Sequence, residues 1–145
     1  MVDAHVHLEK GDYTVEWVQQ FVDYAVQRNI NEIFFLEHIH IFRECTSLYD
    51  EMSSYNEYQR DWYQKKWEQA RPLSEYIDFI EKLKQHEFSV RLKFGFEVCY
   101  SPEHEKDISE IGRYVKEMND IIKQGALWNG GMLLCVKIED GSTIP

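Results

Sequence analysis

Four of the six histidines stand in two pairs of the form His-x-His, His5 with His7 and His38 with His40. In an extended strand, residues i and i+2 share a face, so each pair can aim two imidazoles at one point. Glu37 beside His38, and Glu97 further along, add carboxylates of the kind that bridge metals. Imidazole with carboxylate suits Zn, Fe or Mn, and a catalytic site built this way keeps a position open for water. His86 and His104 lie instead in charged, helix-forming stretches and are expected at a solvated surface.

These groups act together only if the chain brings three segments side by side. Val2 to Leu8 alternates with period two, which predicts a strand with Asp3, His5 and His7 on one face. Thr14 can cap a helix whose stripe is Val18, Phe21, Val22, Ala25 and Val26, with Asn29-Ile30-Asn31 as its closing turn. Ile33 to Leu36 is a continuous apolar run, the mark of a strand buried on both faces, and it terminates in Glu37-His38-Ile39-His40. The polar segment Tyr49 to Gln69 interleaves Tyr55, Tyr58, Trp62, Tyr63 and Trp67 with charges and reads as a helical insertion or lid. Its stripe is Tyr55, Tyr58, Trp62 and Trp67. Ser74 is placed as the cap of a helix with Tyr76, Ile77, Ile80 and Leu83 buried. Val90 to Glu97 is the third strand. Ser101-Pro102 starts a helix carrying Ile108, Ile111, Val115, Met118 and Ile122, which Gly125 stops. Asn129-Gly130-Gly131 then leads into a fourth strand, Met132 to Ile138, and a polar tail from Glu139.

Strand and helix patterns alternate, so the fold class is α/β with parallel strands in βαβ units. In parallel architectures the site lies beyond the C-terminal ends of the strands, and three successive strands here finish with metal-ligating residue types.

The composition narrows the partners. The 145 residues suffice for one domain, residues 1–145, and not for two. Lys plus Arg number 16 against 26 Asp plus Glu, a net charge of -10 that argues against broad nucleic-acid or anionic-membrane binding. A local basic pocket for one phosphate remains compatible with it. No apolar run approaches the length of a membrane span, and the start lacks the basic and apolar regions of a secretory signal. Cys45, Cys99 and Cys135 are far apart and form no CxxC, so buried thiols in a reduced cytoplasm are the expectation.

Asp3-Ala4-His5-Val6-His7-Leu8-Glu9, Glu37-His38 and Gly95-Phe96-Glu97 together resemble the first three motifs of the PHP (polymerase and histidinol phosphatase) family. Within it the chain is most similar to histidinol-phosphatases. Glu9-Lys10-Gly11-Asp12-Tyr13, the Glu37-His38-Ile39-His40 turn, and Gly95-Phe96-Glu97-Val98 with Tyr100 and Pro102-Glu103 carry that likeness. The resemblance runs from Val2 to Ile111. It implies a distorted (β/α)7 TIM-like barrel with two or three divalent ions at its rim, and hydrolysis of a small phosphorylated substrate, L-histidinol phosphate, in histidine biosynthesis. It implies His5, His7, His38 and Glu97 as metal ligands, with Glu9, Asp12 and Glu37 as weaker candidates. His38 and His40 stand at the reacting centre, His40 as a ligand neighbour or substrate contact, and Arg43 is the candidate for holding the phosphate, since a guanidinium contacts its oxygens bidentately.

The departure is as specific as the match. The family pattern continues with a His after the fourth strand and a carboxylate-x-His near the end, yet no histidine follows His104. Met132 to Val136 occupies the place of a histidine-bearing strand end, and residues 122–145 form a divergent tail. A chain holding the first part of the barrel, with an incomplete metal site and weak turnover, is therefore expected. The alternatives are a non-catalytic metal-binding remnant that self-associates through open barrel edges, a nuclease-like relative, and an amidohydrolase-type enzyme.

Overall fold

The apolar run at Ile33 becomes the middle of a central strand because both of its sides find partners. The computed structural model of the chain describes residues 1–100, 102–111 and 132–137. Strand β1 (Val2–Val6), β2 (Glu32–His38), β3 (Arg91–Tyr100) and β4 (Met132–Lys137) form one sheet in that order, every pair parallel. Chain order equals strand order, as successive βαβ units produce. β3 runs on to Tyr100 rather than ending at Glu97, since β4 offers ladder partners as far as Lys137.

Helix α1 (Val15–Gln27) starts where predicted: Thr14 Oγ1 accepts the Trp17 N–H at 3.2 Å. It closes on Asn29 at φ 55, a left-handed conformation that Asn tolerates. The segment after β2 departs from the single helical insertion expected over Tyr49 to Gln69. Short 3-10 turns cover Ile39–Ile41 and Arg43–Ser54, and helix α2 (Glu57–Gln69) begins only after Asn56, whose side chain accepts from Gln59 N at 2.9 Å. The hydroxyls of Ser53 and Ser54 donate to the carbonyls of Asp50 and Glu51, local bonds that compete with a continuous helix. The expected aromatic stripe splits as well. Trp62 and Tyr63 pack on the core, whereas Tyr55, Tyr58 and Trp67 are exposed.

Helix α3 (Leu73–Leu83) follows Pro72, and Ser74 is not its cap. The Leu73 N–H is satisfied by Glu44 Oε2 at 2.9 Å, a carboxylate from the preceding segment that also suits the helix dipole. Its buried residues are Tyr76, Phe79, Ile80 and Leu83. Residues 105–111 are helical, with Ile108 buried. The rest of that predicted helix, Gly125, the Asn129-Gly130-Gly131 turn and the polar tail lie outside the described residues.

Register divides the sheet into two faces, because Cα partners on parallel strands point the same way. Ile33, Phe35 and Glu37 pair with Leu92, Phe94 and Phe96 on one face. Val18, Val22 and Ala25 of α1 and the α3 residues join it in one core, where Phe35 stacks on Phe94 at 5.3 Å and Tyr76 tilts against Phe96. Each fully buried side chain of this size contributes roughly 1.5–3 kcal/mol relative to exposure. The opposite face carries Glu32, Phe34, Leu36 and His38 beside Arg91, Lys93, Gly95 and Glu97. At its N-terminal end Glu32 is bound by Arg91 at 3.1 Å and Lys93 at 2.8 Å; at its C-terminal end stand His38 and Glu97. Between β1 and β2 the register slips: Asp3 pairs with Ile33 and Val6 with Phe35. That irregularity moves Asp3 off the face of His5 and His7, contrary to the simple alternation.

Candidate metal centre

His38 and Glu97 are Cα partners across β2 and β3, so the register alone sets them shoulder to shoulder. β1 brings its two histidines to the same point. Glu97 Oε2 lies 2.7 Å from His5 Nε2, 3.4 Å from His7 Nε2 and 3.5 Å from His38 Nε2. The His7 and His38 rings stack at 4.1 Å with 7° between planes, and His5 tilts against His7 at 4.8 Å. From the loop after β1, Glu9 Oε2 reaches His38 Nδ1 at 2.9 Å. Two donor groups result, His5 with His7 and Glu97, and His7 with Glu9 and His38, the ligand atoms within each lying within 4.8 Å of one another. His7 belongs to both, and its neutral imidazole can ligate an ion in either. The cluster is open on the His5 side, whose side chain is 42% exposed, and closed at Glu9, 12% exposed.

The electrostatics push His7 and His38 in opposite directions and keep Glu9 ionised. Burial and the neighbouring His38 charge push the His7 pKa down, which favours the ligating form. Burial alone would raise the Glu9 carboxyl, but the hydrogen bond from His38 and the charges of His38, His40 and His7 hold it down at about 2. For His38, burial works downward and is outweighed by the Glu9 hydrogen bond and the charges of Glu9 and Glu97, so its pKa rises.

Glu37 stands apart. Its side chain is on the helix-facing side, wholly buried, with Oε1 accepting from Leu8 N at 2.5 Å and Oε2 from the Tyr13 hydroxyl at 2.9 Å. Burial, only partly opposed by those two donors, pushes it up to about 7. It pins the loop that presents Glu9, and both its oxygens are already engaged. Tyr13, stacked on Phe79 and lying under Arg71, had no role assigned from sequence; nothing in the pattern distinguishes a loop tyrosine that reaches back to a carboxylate.

His40 is buried beside the cluster, its ring 5.1 Å from His38, 5.5 Å from Tyr49 and 5.0 Å from Trp62. It is not in either donor group. Burial, then Lys66 and His38, hold it down at about 3, so it is neutral, and its Nε2 has no hydrogen-bond partner. Arg43 is exposed and donates to the Ala70 carbonyl at 3.4 Å, making no contact with the cluster among the described residues. Asp12 is exposed and also outside both groups. His86 is exposed as expected, but His104 is not a solvated residue: Asp50, Glu51 and Asp107 each approach its ring at 3.4 Å.

The residues present fit divalent ions. Three imidazoles and two carboxylates converge, and His7 Nδ1 is buried without a hydrogen-bond partner, an orphan that ligation or a bound water would answer. Comparison with protein-family models, curated proteins and solved structures returns no match.

Proposed function

We propose that the chain is a metal-dependent phosphate monoester hydrolase of the PHP type, resembling histidinol-phosphatases, with L-histidinol phosphate as substrate. The parallel sheet is then the opening part of a distorted (β/α)7 barrel. One observation carries the reading: His5, His7 and His38 meet Glu97 at the C-terminal end of adjacent parallel strands, with Glu9 completing the set.

In this reading His5, His7, His38, Glu97 and Glu9 hold two divalent ions of the Zn, Fe or Mn class. A bound ion lowers the pKa of its water toward neutrality and offsets charge on phosphoryl oxygens. Glu97 fixes the spacing of the three imidazoles. Glu37 and Tyr13 hold the Leu8-Glu9 loop in place, so that the Glu9 carboxylate meets His38. His40, Tyr49 and Trp62 wall one side with rings and exclude water there.

A second reading, metal binding without turnover, rests on β4. Glu97 pairs there with Leu134, and the β4 sequence carries no histidine or carboxylate. β1 and β4 are the edges of the sheet among the described residues, and chains pairing along them is the corresponding association. No helix among the described residues is long and apolar enough to cross a membrane.

Metal content after dialysis, measured beside monoester hydrolysis for wild type and His7→Ala, tests both readings. Because His7 serves both donor groups, the variant should lose on the order of 100-fold or more in metal affinity together with any hydrolysis. Metal retained by His7→Ala at the wild-type level rejects the centre. Metal bound by wild type without hydrolysis selects the second reading.

A further inference from the structure

Away from the centre, the described residues hold one further group of ligating side chains: Asp50, Glu51 and His104, whose ligand atoms lie within 4.8 Å of one another. It joins two segments far apart in sequence. Asp50 and Glu51 sit on the 3-10 segment Arg43–Ser54, where the hydroxyls of Ser53 and Ser54 donate back to their carbonyls at 2.6 and 2.7 Å and fix the turn. His104 ends the short turn Pro102–His104 after β3, and the helical residues 105–111 that follow are anchored in the core by Ile108.

Surface carboxylates alone do not make a site; the setting of the His104 ring is what points to an ion. On one side its Nδ1 meets Asp107 Oδ2 at 3.4 Å, three residues on along the helical run, where the carboxylate can accept the ring hydrogen. That tautomer leaves the Nε2 lone pair facing Asp50 Oδ1 and Glu51 Oε1, each at 3.4 Å. Nε2 is buried and makes no hydrogen bond. A lone pair set against two carboxylate oxygens is repulsive unless a cation lies between them. The spacing suits a metal better than a proton. A charge-assisted N–H···O bond closes to roughly 2.7–2.9 Å. A tetrahedral ion with bonds of about 2.0–2.2 Å to nitrogen and oxygen instead holds neighbouring donors about 3.4 Å apart. The group opens to solvent through Asp50, whose side chain is 58% exposed, so an ion can meet the carboxylates first and then the imidazole.

We propose that His104 Nε2, Asp50 and Glu51 bind a divalent ion of the zinc class, with water in the fourth position and Asp107 as a positioning residue that orients the ring. The bound ion clips the Arg43–Ser54 segment to the start of the helix after β3. None of these four residues belongs to the centre, and the site does not depend on the hydrolase reading.

Zinc alone is the probe. Zinc content after dialysis and calorimetric titration are compared for wild type, Asp50→Asn, His104→Ala, Asp107→Asn and His7→Ala. Asp50→Asn and His104→Ala should each lose one equivalent, with affinity at this site down on the order of 100-fold or more; Asp107→Asn should weaken it about 10- to 100-fold. His7→Ala should keep the equivalent, and zinc should raise its thermal midpoint but not that of the His7→Ala, Asp50→Asn double variant. In wild type, zinc should shift the 15N resonance of His104 Nε2, which a merely structural ion pair would not do. Zinc content and affinity unchanged in both Asp50→Asn and His104→Ala overturn the proposal, as does a His104 Nε2 resonance that zinc leaves in place. Zinc lost in His7→Ala but fully retained in Asp50→Asn and His104→Ala removes this site and leaves the centre standing. The opposite pattern keeps this site and removes the centre.

Discussion

Glu37 is the residue whose removal separates holding the centre together from binding its metal. Its side chain is fully buried and accepts from Leu8 N and the Tyr13 hydroxyl. In Glu37→Ala the Leu8 N–H, in a residue with no exposure, loses its acceptor, an orphan worth roughly 1–3 kcal/mol. Truncating the side chain leaves a cavity that adds about 1–2 kcal/mol, and the half-buried Tyr13 hydroxyl adds less, since water can reach it. The sum is about 3 kcal/mol, a large part of the stability of a small domain. At roughly 1.5 kcal/mol per molar urea, the unfolding midpoint should fall by about 2 M. Metal affinity should fall by about 10- to 100-fold at the same time, because the loop presenting Glu9 is no longer pinned. Glu37→Gln keeps an oxygen for Leu8 N and turns its amide toward the tyrosine oxygen, so it should stay within about 1 kcal/mol of wild type and keep its metal. Urea unfolding and metal titration on the two variants decide the matter. If both variants lose metal equally while stability is unchanged, Glu37 is a ligand and the positioning argument is wrong.

Four other consequences are open to measurement, one of them the His7→Ala metal loss already stated. Glu32 is held below the ordinary carboxyl range by its hydrogen bond from Lys93, outweighing burial, with the Lys93 and Arg91 charges assisting. A depressed folded pKa contributes stability above the unfolded carboxyl pKa and loses it as pH falls through the folded value. Glu32→Gln should therefore be about 1 kcal/mol less stable at neutral pH, with the gap closing in acid; a gap that persists at low pH refutes the ion-pair account. The Cys45 thiol is pushed up to about 12 by burial and the Glu44 charge, so its alkylation at pH 8 should be roughly a thousandfold slower in the native protein than after unfolding, read by peptide mapping. A Cβ on Gly11 would come within 2.6 Å of the Trp17 ring, whose Nε1 donates to the Leu8 carbonyl at 3.1 Å. Gly11→Ala should cost about 1–3 kcal/mol by displacing that ring, seen as a lower unfolding midpoint and a shifted tryptophan emission.

Much of the frame was legible because periodicity reports burial directly. The Ile33 run, the Thr14 cap, the α1 stripe and the parallel order all follow from local pattern. The His5, His7, His38 and Glu97 meeting was also readable, since strand ends on one side of a parallel sheet must converge. What pattern does not carry is register and reach. The slip after Asp3 follows from how β1 docks on β2, and alternation within one strand contains no trace of it. The α3 cap comes from Glu44, far away in sequence, so a search among neighbours selects Ser74 instead. Arg43 was assigned by chemical type, and its direction was fixed by the strand-like bridge between Phe42 and Arg71, which turns the guanidinium toward Ala70.

Glu9, beside His38 in space, and Glu37, beside it in sequence, show how one residue type divides its labour by surroundings. Glu9 faces imidazoles and is held ionised at about 2; Glu37, one residue from His38 in sequence, faces a backbone amide and a phenol and is pushed up to about 7 by burial. Strand alternation forces the division: adjacent residues of β2 must point to opposite faces, so Glu37 and His38 cannot both enter the centre. A ligand at His38 therefore needs its carboxylate neighbour from elsewhere, and the loop after β1 provides Glu9. Glu37 in turn holds that loop from the other face of the sheet. The Glu37-His38 pair thus links both sides of the sheet at the point where the candidate ligands converge.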